Sequence, residues 1–192
     1  MKNTIRIVIL GVVGFALLVY LTLPNKTQND KSEVKEALTI NSLPTYFDVV
    51  GNNPYTKFDT LFKIGEEKYM VVLNHDALAV FKELYKKMDK NVVLIANISN
   101  TPWIVKQIAV NGELEKMYKN SKNFLINDSD GSFINTLGVT DNKQNKYFIF
   151  KLTKDGDIIK VSEGSVKEGA LEKGLSNDEL EKNLNEIIKN FK

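Results

Sequence analysis

Apolar and polar positions fall into three regimes along the chain. Ile7 to Leu23, IVILGVVGFALLVYLTL, is a run of 17 residues without a charge. As a helix it would span roughly 26 Å, near the lower limit for crossing a bilayer core. Residues 24–40 are mostly polar with mixed charge, NKTQNDKSEVKEA at their centre, and read as a tether. From residue 41 to 192 the pattern is that of one folded domain of ~150 residues, an ordinary size for a single core.

Within that domain, Pro44, Gly51, Asn52, Asn53 and Pro54 punctuate 38–55, where no element is assigned. Lys57–Lys63 and Lys68–Leu73 are β-rich runs joined through Gly65 and Glu66, which predicts a hairpin. Leu78, Phe81, Leu84, Tyr85 and Met88 recur at spacings of three and four, predicting an amphipathic helix over Asp76–Met88. NVVLIANI, Asn91–Ile98, is a continuous apolar run that suits a buried central strand. Pro102 opens a helical stretch that Asn111-Gly112 interrupts before Glu113–Tyr118 continues it. Asn123–Asn127 reads as a strand, Ser132–Leu137 as a short helix ended by Gly138. Tyr147–Leu152 and Ile158–Glu163, around Asp155-Gly156, form a second hairpin. Ser176 with Glu179 is a capping box for a last helix carrying Leu180, Leu184, Ile187, Ile188 and Phe191 on one face. The order predicts a mixed sheet with helices on both faces, an α/β fold.

Composition removes much chemistry. The chain of 192 residues has no cysteine and one histidine. That excludes disulfides, thiolate metal sites and thiol nucleophiles, and argues against a His-based metal centre. No metal or cofactor is expected. Outside Lys2 and Arg6, basic and acidic residues balance at 24 each, so no basic stripe favours nucleic acid as a partner.

Lys2 and Arg6 also orient the apolar run, by holding residues 1–6 in the cytoplasm. A cleaved signal peptide is the competing reading, but Pro24 to Gln28 offer no A-x-A site for a peptidase. The expectation is a single-pass anchor over 7–23 in a bacterial inner membrane, with the domain in the periplasm.

Three segments carry a resemblance. NVVLIANISNTPW looks like a central strand running into an active-site loop. NDSDGSFINTLGV, Asn127–Val139, resembles a peroxiredoxin D-x-D-G…L-G-V segment. YFIFKLTKDGDIIKVSEG, Tyr147–Gly164, looks like a closing hairpin. Together they resemble the thioredoxin-like superfamily, near the peroxiredoxins and the membrane-tethered thiol–disulfide oxidoreductases. The resemblance implies a three-layer sandwich behind the transmembrane helix. It places Thr101, Pro102, Trp103 and Ile104 where redox members carry Cys-x-x-Cys, and Tyr147 where the loop before the hairpin presents a cis-proline. The facing surface would be the loop Asp141–Lys146 and Tyr147.

With no cysteine, thiol redox chemistry is excluded whatever the alignment. A Thr101 nucleophile would need a desolvated Lys106 as base, so Thr101 is read first as a helix cap. Asp128 and Asp130 around Gly131 read as a turn, since no EF-hand ligand run follows. His75, between Asn74 and Asp76, reads as a surface or capping residue. Trp103 either folds back against Ile104 and the sheet or makes a partner contact, as Trp is enriched at binding hot spots. The expected function is therefore a non-enzymatic interaction or assembly subunit of a cell-envelope complex, touching other envelope proteins. The alternatives are a cysteine-independent enzyme or pseudo-oxidoreductase using the Thr101 loop, or a small-ligand carrier.

Overall fold

The computed structural model describes residues 2–21, 37–51, 55–88, 91–100 and 111–191. An N-terminal helix, α1 (Lys2–Leu21), contains most of the apolar run. Val12, Val13, Phe15, Leu17, Leu18 and Leu21 are each more than half exposed. The side chains of 2–8 and 10 lie outside the description, and among the described residues no helix is long and apolar enough to cross a membrane.

The domain then runs β1 (Tyr46–Val49), β2 (Thr56–Lys57), β3 (Lys68–Leu73), α2 (His75–Phe81), β4 (Val92–Asn97) and α3 (Asn111–Tyr118). It continues through β5 (Phe124–Asp128), α4 (Ser132–Thr136), β6 (Lys146–Leu152), β7 (Ile158–Ser165), α5 (Ala170–Lys173) and α6 (Asn177–Ile188). The seven strands form one sheet in the order β2-β1-β5-β4-β3-β6-β7. β3, β4 and β5 are parallel, while β6 runs antiparallel to β3 and β7 antiparallel to β6. This is the mixed sheet with helices that the sequence predicts.

Alternation along the strands builds a core on each face. Tyr69, Val71 and Leu73 of β3 join Leu94 and Ala96 of β4 under α2, α3 and α6. Met70 and Val72 join Val93, Ile95, Phe148 and Phe150 on the other face, with Phe62, Phe133 and Ile40. The strands in the middle are buried on both sides, which is why Asn91–Ile98 reads as an unbroken apolar run. Lys68, at the start of β3, is buried too. Desolvation lowers its affinity for a proton, offset in part by Glu66. Its ammonium donates to the Leu61 carbonyl and lies 5.6 Å from the centroid of the Phe62 ring.

The first predicted hairpin is not there. Thr56–Lys57 pairs with β1, Phe58–Thr60 is a 3-10 turn, and β3 pairs with β4 and β6. Phe58, Leu61 and Phe62 are spaced i, i+3, i+4, a helical spacing that a strand would split between two faces. As a turn it packs the Phe58 and Phe62 rings together at 5.7 Å and buries Leu61. The predicted helix 76–88 ends at Phe81, and a 3-10 turn at Leu84–Lys86 keeps Leu84 in the same core. Asn111 and Gly112 are the first described residues of α3, and the stretch from Pro102 that leads to them lies outside the described residues. β5, α4 with Gly138 after it, the closing hairpin and the capping box at Ser176 and Glu179 form as predicted.

Candidate functional site

The parallel strands deliver their carboxyl ends, Leu73, Asn97 and Asp128, to one edge of the sheet, where open α/β sheets bind ligands. Directly after β3 comes Asn74, which is buried. Its backbone N–H donates to Lys146 O at 3.0 Å, continuing the β3–β6 ladder by one residue. Its side-chain amide donates to Lys143 O at 2.8 Å and to Asp141 O at 3.1 Å. Asn97 of β4 donates to Asn74 Oδ1 at 2.7 Å, and Ser99 donates to Asn97 Oδ1 at 3.2 Å. The Asp76 N–H reaches Gln144 O at 2.9 Å. One asparagine thus holds together the end of β3, the end of β4 and the loop before the closing hairpin.

That loop is the surface expected to face the former active-site loop. Asp141 and Lys146 come to this edge, where their carbonyls meet Asn74, and Tyr147 follows as the ladder partner of Leu73. Thr101, Pro102, Trp103 and Ile104 lie outside the described residues. No peptide bond among the described residues is cis, including the one before Tyr147. Sequence reading missed Asn74, Asn97 and Ser99. The available signal was a polar Asn-His-Asp run breaking an apolar strand, LNHDAL, just where the chain turns into α2.

Asp76 is fully buried, and its carboxylate accepts from Gly169 N at 2.9 Å and Leu171 N at 3.2 Å. His75 Nδ1 lies 3.7 Å from Asp76 Oδ1, too long for a hydrogen bond, and is buried without a hydrogen-bond partner among the described residues. The remainder of the imidazole is open, with the side chain 43% exposed. Tyr147 packs its ring 5.0 Å from that of Phe81 and accepts from Asn190 Nδ2 at 2.9 Å. Burial raises its phenol pKa, the Asn190 bond offsetting part of the rise. Chemically, the edge around Asn74 is a fixed polar platform. The amide of Asn74 and both oxygens of Asp76 are engaged by the protein itself, and the His75 ring and loop 141–146 are what it displays.

At the end of β5, Asp128 is buried and caps the turn into α4. It accepts from Phe133 N at 3.1 Å, Ile134 N at 3.0 Å and the Ser132 hydroxyl at 3.3 Å. Desolvation outweighs those bonds and pushes its carboxyl up to about 6. Desolvation also acts upward on Asp130, but bonds from Ser132 and Asp128 together leave it below the ordinary carboxylate value. The folded state therefore binds a proton at Asp128 more tightly than the unfolded chain. That contribution to stability is present below the unfolded value near 3.8 and is lost as pH rises through about 6, on the order of 3 kcal/mol. Urea unfolding at pH 4–7 is expected to show this slope in wild type and lose it in Asp128→Asn. Identical pH profiles would remove Asp128 as its origin.

No family model and no curated protein sequence matches the chain. Among solved structures it is similar to the exposed lipoprotein thioredoxin of Streptococcus pneumoniae strain TIGR4, at 14% identity and a TM-score of 0.41, over 73% of this chain and 97% of that one. It is also similar to an uncharacterized thioredoxin-like protein of Porphyromonas gingivalis, at 17% identity and 0.39, over 79% and 94%. AhpC of Enterococcus faecalis aligns at 16% identity and 0.42, over 80% and 94%.

Proposed function

We propose that this protein is a membrane-anchored, periplasmic, non-catalytic member of the thioredoxin-like fold class that acts as an interaction or assembly subunit of a cell-envelope complex. The observation that carries this reading is the platform around Asn74. The β3–α2 junction that packs against the segment before the closing hairpin is Asn74 with the first turn of α2, His75 and Asp76. The Asn and Asp side chains there are committed to internal hydrogen bonds rather than poised against a nucleophile. Such an edge is built to hold a shape.

The manner of attachment supports the same reading. Ile158 N donates to Leu38 O at 2.8 Å and Ile40 N to Gly156 O at 2.7 Å, so chain arriving from the N-terminal helix is pinned at the turn between β6 and β7. Asn74 meets the opposite end of β6, seven residues away or roughly 20 Å. The exposed apolar side chains of α1 have the character of an anchor, and the tether would present the platform away from the bilayer at high effective concentration.

The test is affinity capture of the tagged full chain from gently solubilised membranes, wild type beside His75→Ala, Lys143→Ala and Trp103→Ala at equal abundance. A defined set of envelope proteins is expected with wild type and depleted by at least one variant. An absence of partners, under conditions that keep known membrane complexes intact, would overturn the interaction reading.

A further inference from the structure

The same edge of the sheet continues past Asn97 and Ser99 to a second feature. A Cβ added to Gly131 would lie 3.1 Å from Ser99 Cβ, so the turn after β5 abuts the end of β4. Between that turn and β1 is a cleft of about 220 Å³, with Tyr46, Asp48, Tyr55, Asn127 and Asp130 in its lining. Tyr46 and Asp48 alternate with buried Phe47 and Val49, which places both on the outer face of β1. Tyr46 is 53% exposed and Tyr55 78%, large aromatic surfaces left in water while Phe47 and Phe133 behind them are fully packed. In a chain with 26 basic residues, none lines the cleft among the described residues.

We propose that this cleft receives a lysine or arginine side chain presented by a segment of a partner protein, with the cation against the tyrosine rings and beside Asp48 and Asp130. The inference names the chemistry of the partner that the interaction reading requires, and rests on that reading. Tyrosine faces attract a cation through the ring quadrupole, and the carboxylates add complementary charge and steer the encounter. The volume favours this occupant, because small-molecule sites run from roughly 300 to 1,000 Å³ and enclose most of their ligand. A cleft below that range suits one side chain of a larger body. Asn127 donates to Asp48 Oδ2 at 2.9 Å, and the Ser132 N–H to Asp130 Oδ1 at 3.0 Å, so both carboxylates are held in place before a partner arrives.

The experiment is an NMR titration of the full chain in detergent micelles with acetyl-Gly-Lys-Gly-Lys-Gly-amide. The same peptide with Glu for Lys, and tetramethylammonium, serve as comparisons. Saturable shifts at Tyr46, Tyr55 and Asp130 are expected with the lysine peptide only. They should weaken roughly fivefold in Tyr55→Ala and again in Asp48→Asn, with resonances elsewhere unchanged. An equal response to the glutamate peptide, no saturable shift, or unchanged affinity in Tyr55→Ala would overturn the cleft. Tighter binding of tetramethylammonium than of the peptide would overturn a protein segment as its occupant. If the lysine peptide binds but capture finds no partner, the cleft stands and the interaction reading fails. Partners captured without peptide binding remove the cleft alone.

Discussion

Replacing Asp76 by alanine is expected to lower the unfolding free energy of the full chain by about 3–5 kcal/mol, read from urea denaturation followed by circular dichroism. The carboxylate has no solvent exposure, and each oxygen accepts a backbone N–H from the start of α5, Gly169 and Leu171. It sits in the first turn of α2, where the helix dipole favours a negative charge. One side chain therefore couples α2 to the segment that leads into α6, and both helices cover the same face of the sheet. Alanine would leave two N–H groups without their acceptor and take the charge from a helix start. Asp76→Asn keeps one carbonyl oxygen but points an amide at the other donor, so an intermediate loss is expected. A loss below about 1 kcal/mol in Asp76→Ala would mean that water replaces the carboxylate at α5, and that the junction is open rather than packed.

The elements that were legible in the sequence are those whose signal is local. NVVLIANI suits a strand buried on both faces, and Ser176 with Glu179 fixes where the last helix begins. The Asp155-Gly156 turn sets the register of the closing hairpin. What was not legible depends on pairing across long separations. Whether the hairpin docks beside β3 or β4 is decided by the ladder Leu73–Tyr147 to Lys68–Leu152, and nothing within either strand announces it. Because that ladder chooses β3, loop 141–146 closes over Asn74–Asp76. β1 was missed for another reason. Four residues between Pro44 and Gly51, one of them Asp48, are too few for alternation to stand out. Nothing local to Asp76 marks it as buried, since the backbone that its carboxylate accepts from, at Gly169 and Leu171, lies far along the chain.

Gly164→Ala is expected to destabilise the domain by about 2–4 kcal/mol, through overpacking rather than backbone strain. Gly51, Gly65, Gly131, Gly138, Gly156, Gly169 and Gly174 have positive φ, whereas Gly164 has an ordinary strand backbone that alanine could adopt. Its difficulty is its cross-strand partner. Gly164 pairs with Tyr147, and a Cβ there would stand 2.5 Å from Tyr147 Cζ and 2.9 Å from Cε1, with Oη nearer still. The ring cannot swing aside cheaply, since Phe81 packs on it and Asn190 holds its hydroxyl. Tyr147→Phe removes only the oxygen, so Gly164→Ala in that background should still be costly. Tyr147→Ala is itself expected to lose about 3–5 kcal/mol by leaving a cavity, and adding Gly164→Ala to it should cost little more. Fully additive losses in this cycle would show that the alanine methyl finds space elsewhere and that the ring does not define the site. The consequence for the platform is direct. Tyr147 follows Lys146, whose carbonyl anchors Asn74, so a displaced ring shifts loop 141–146 where it closes over Asn74. In Gly164→Ala, capture of any partner that reads loop 141–146 should therefore fall even at temperatures where the variant remains folded.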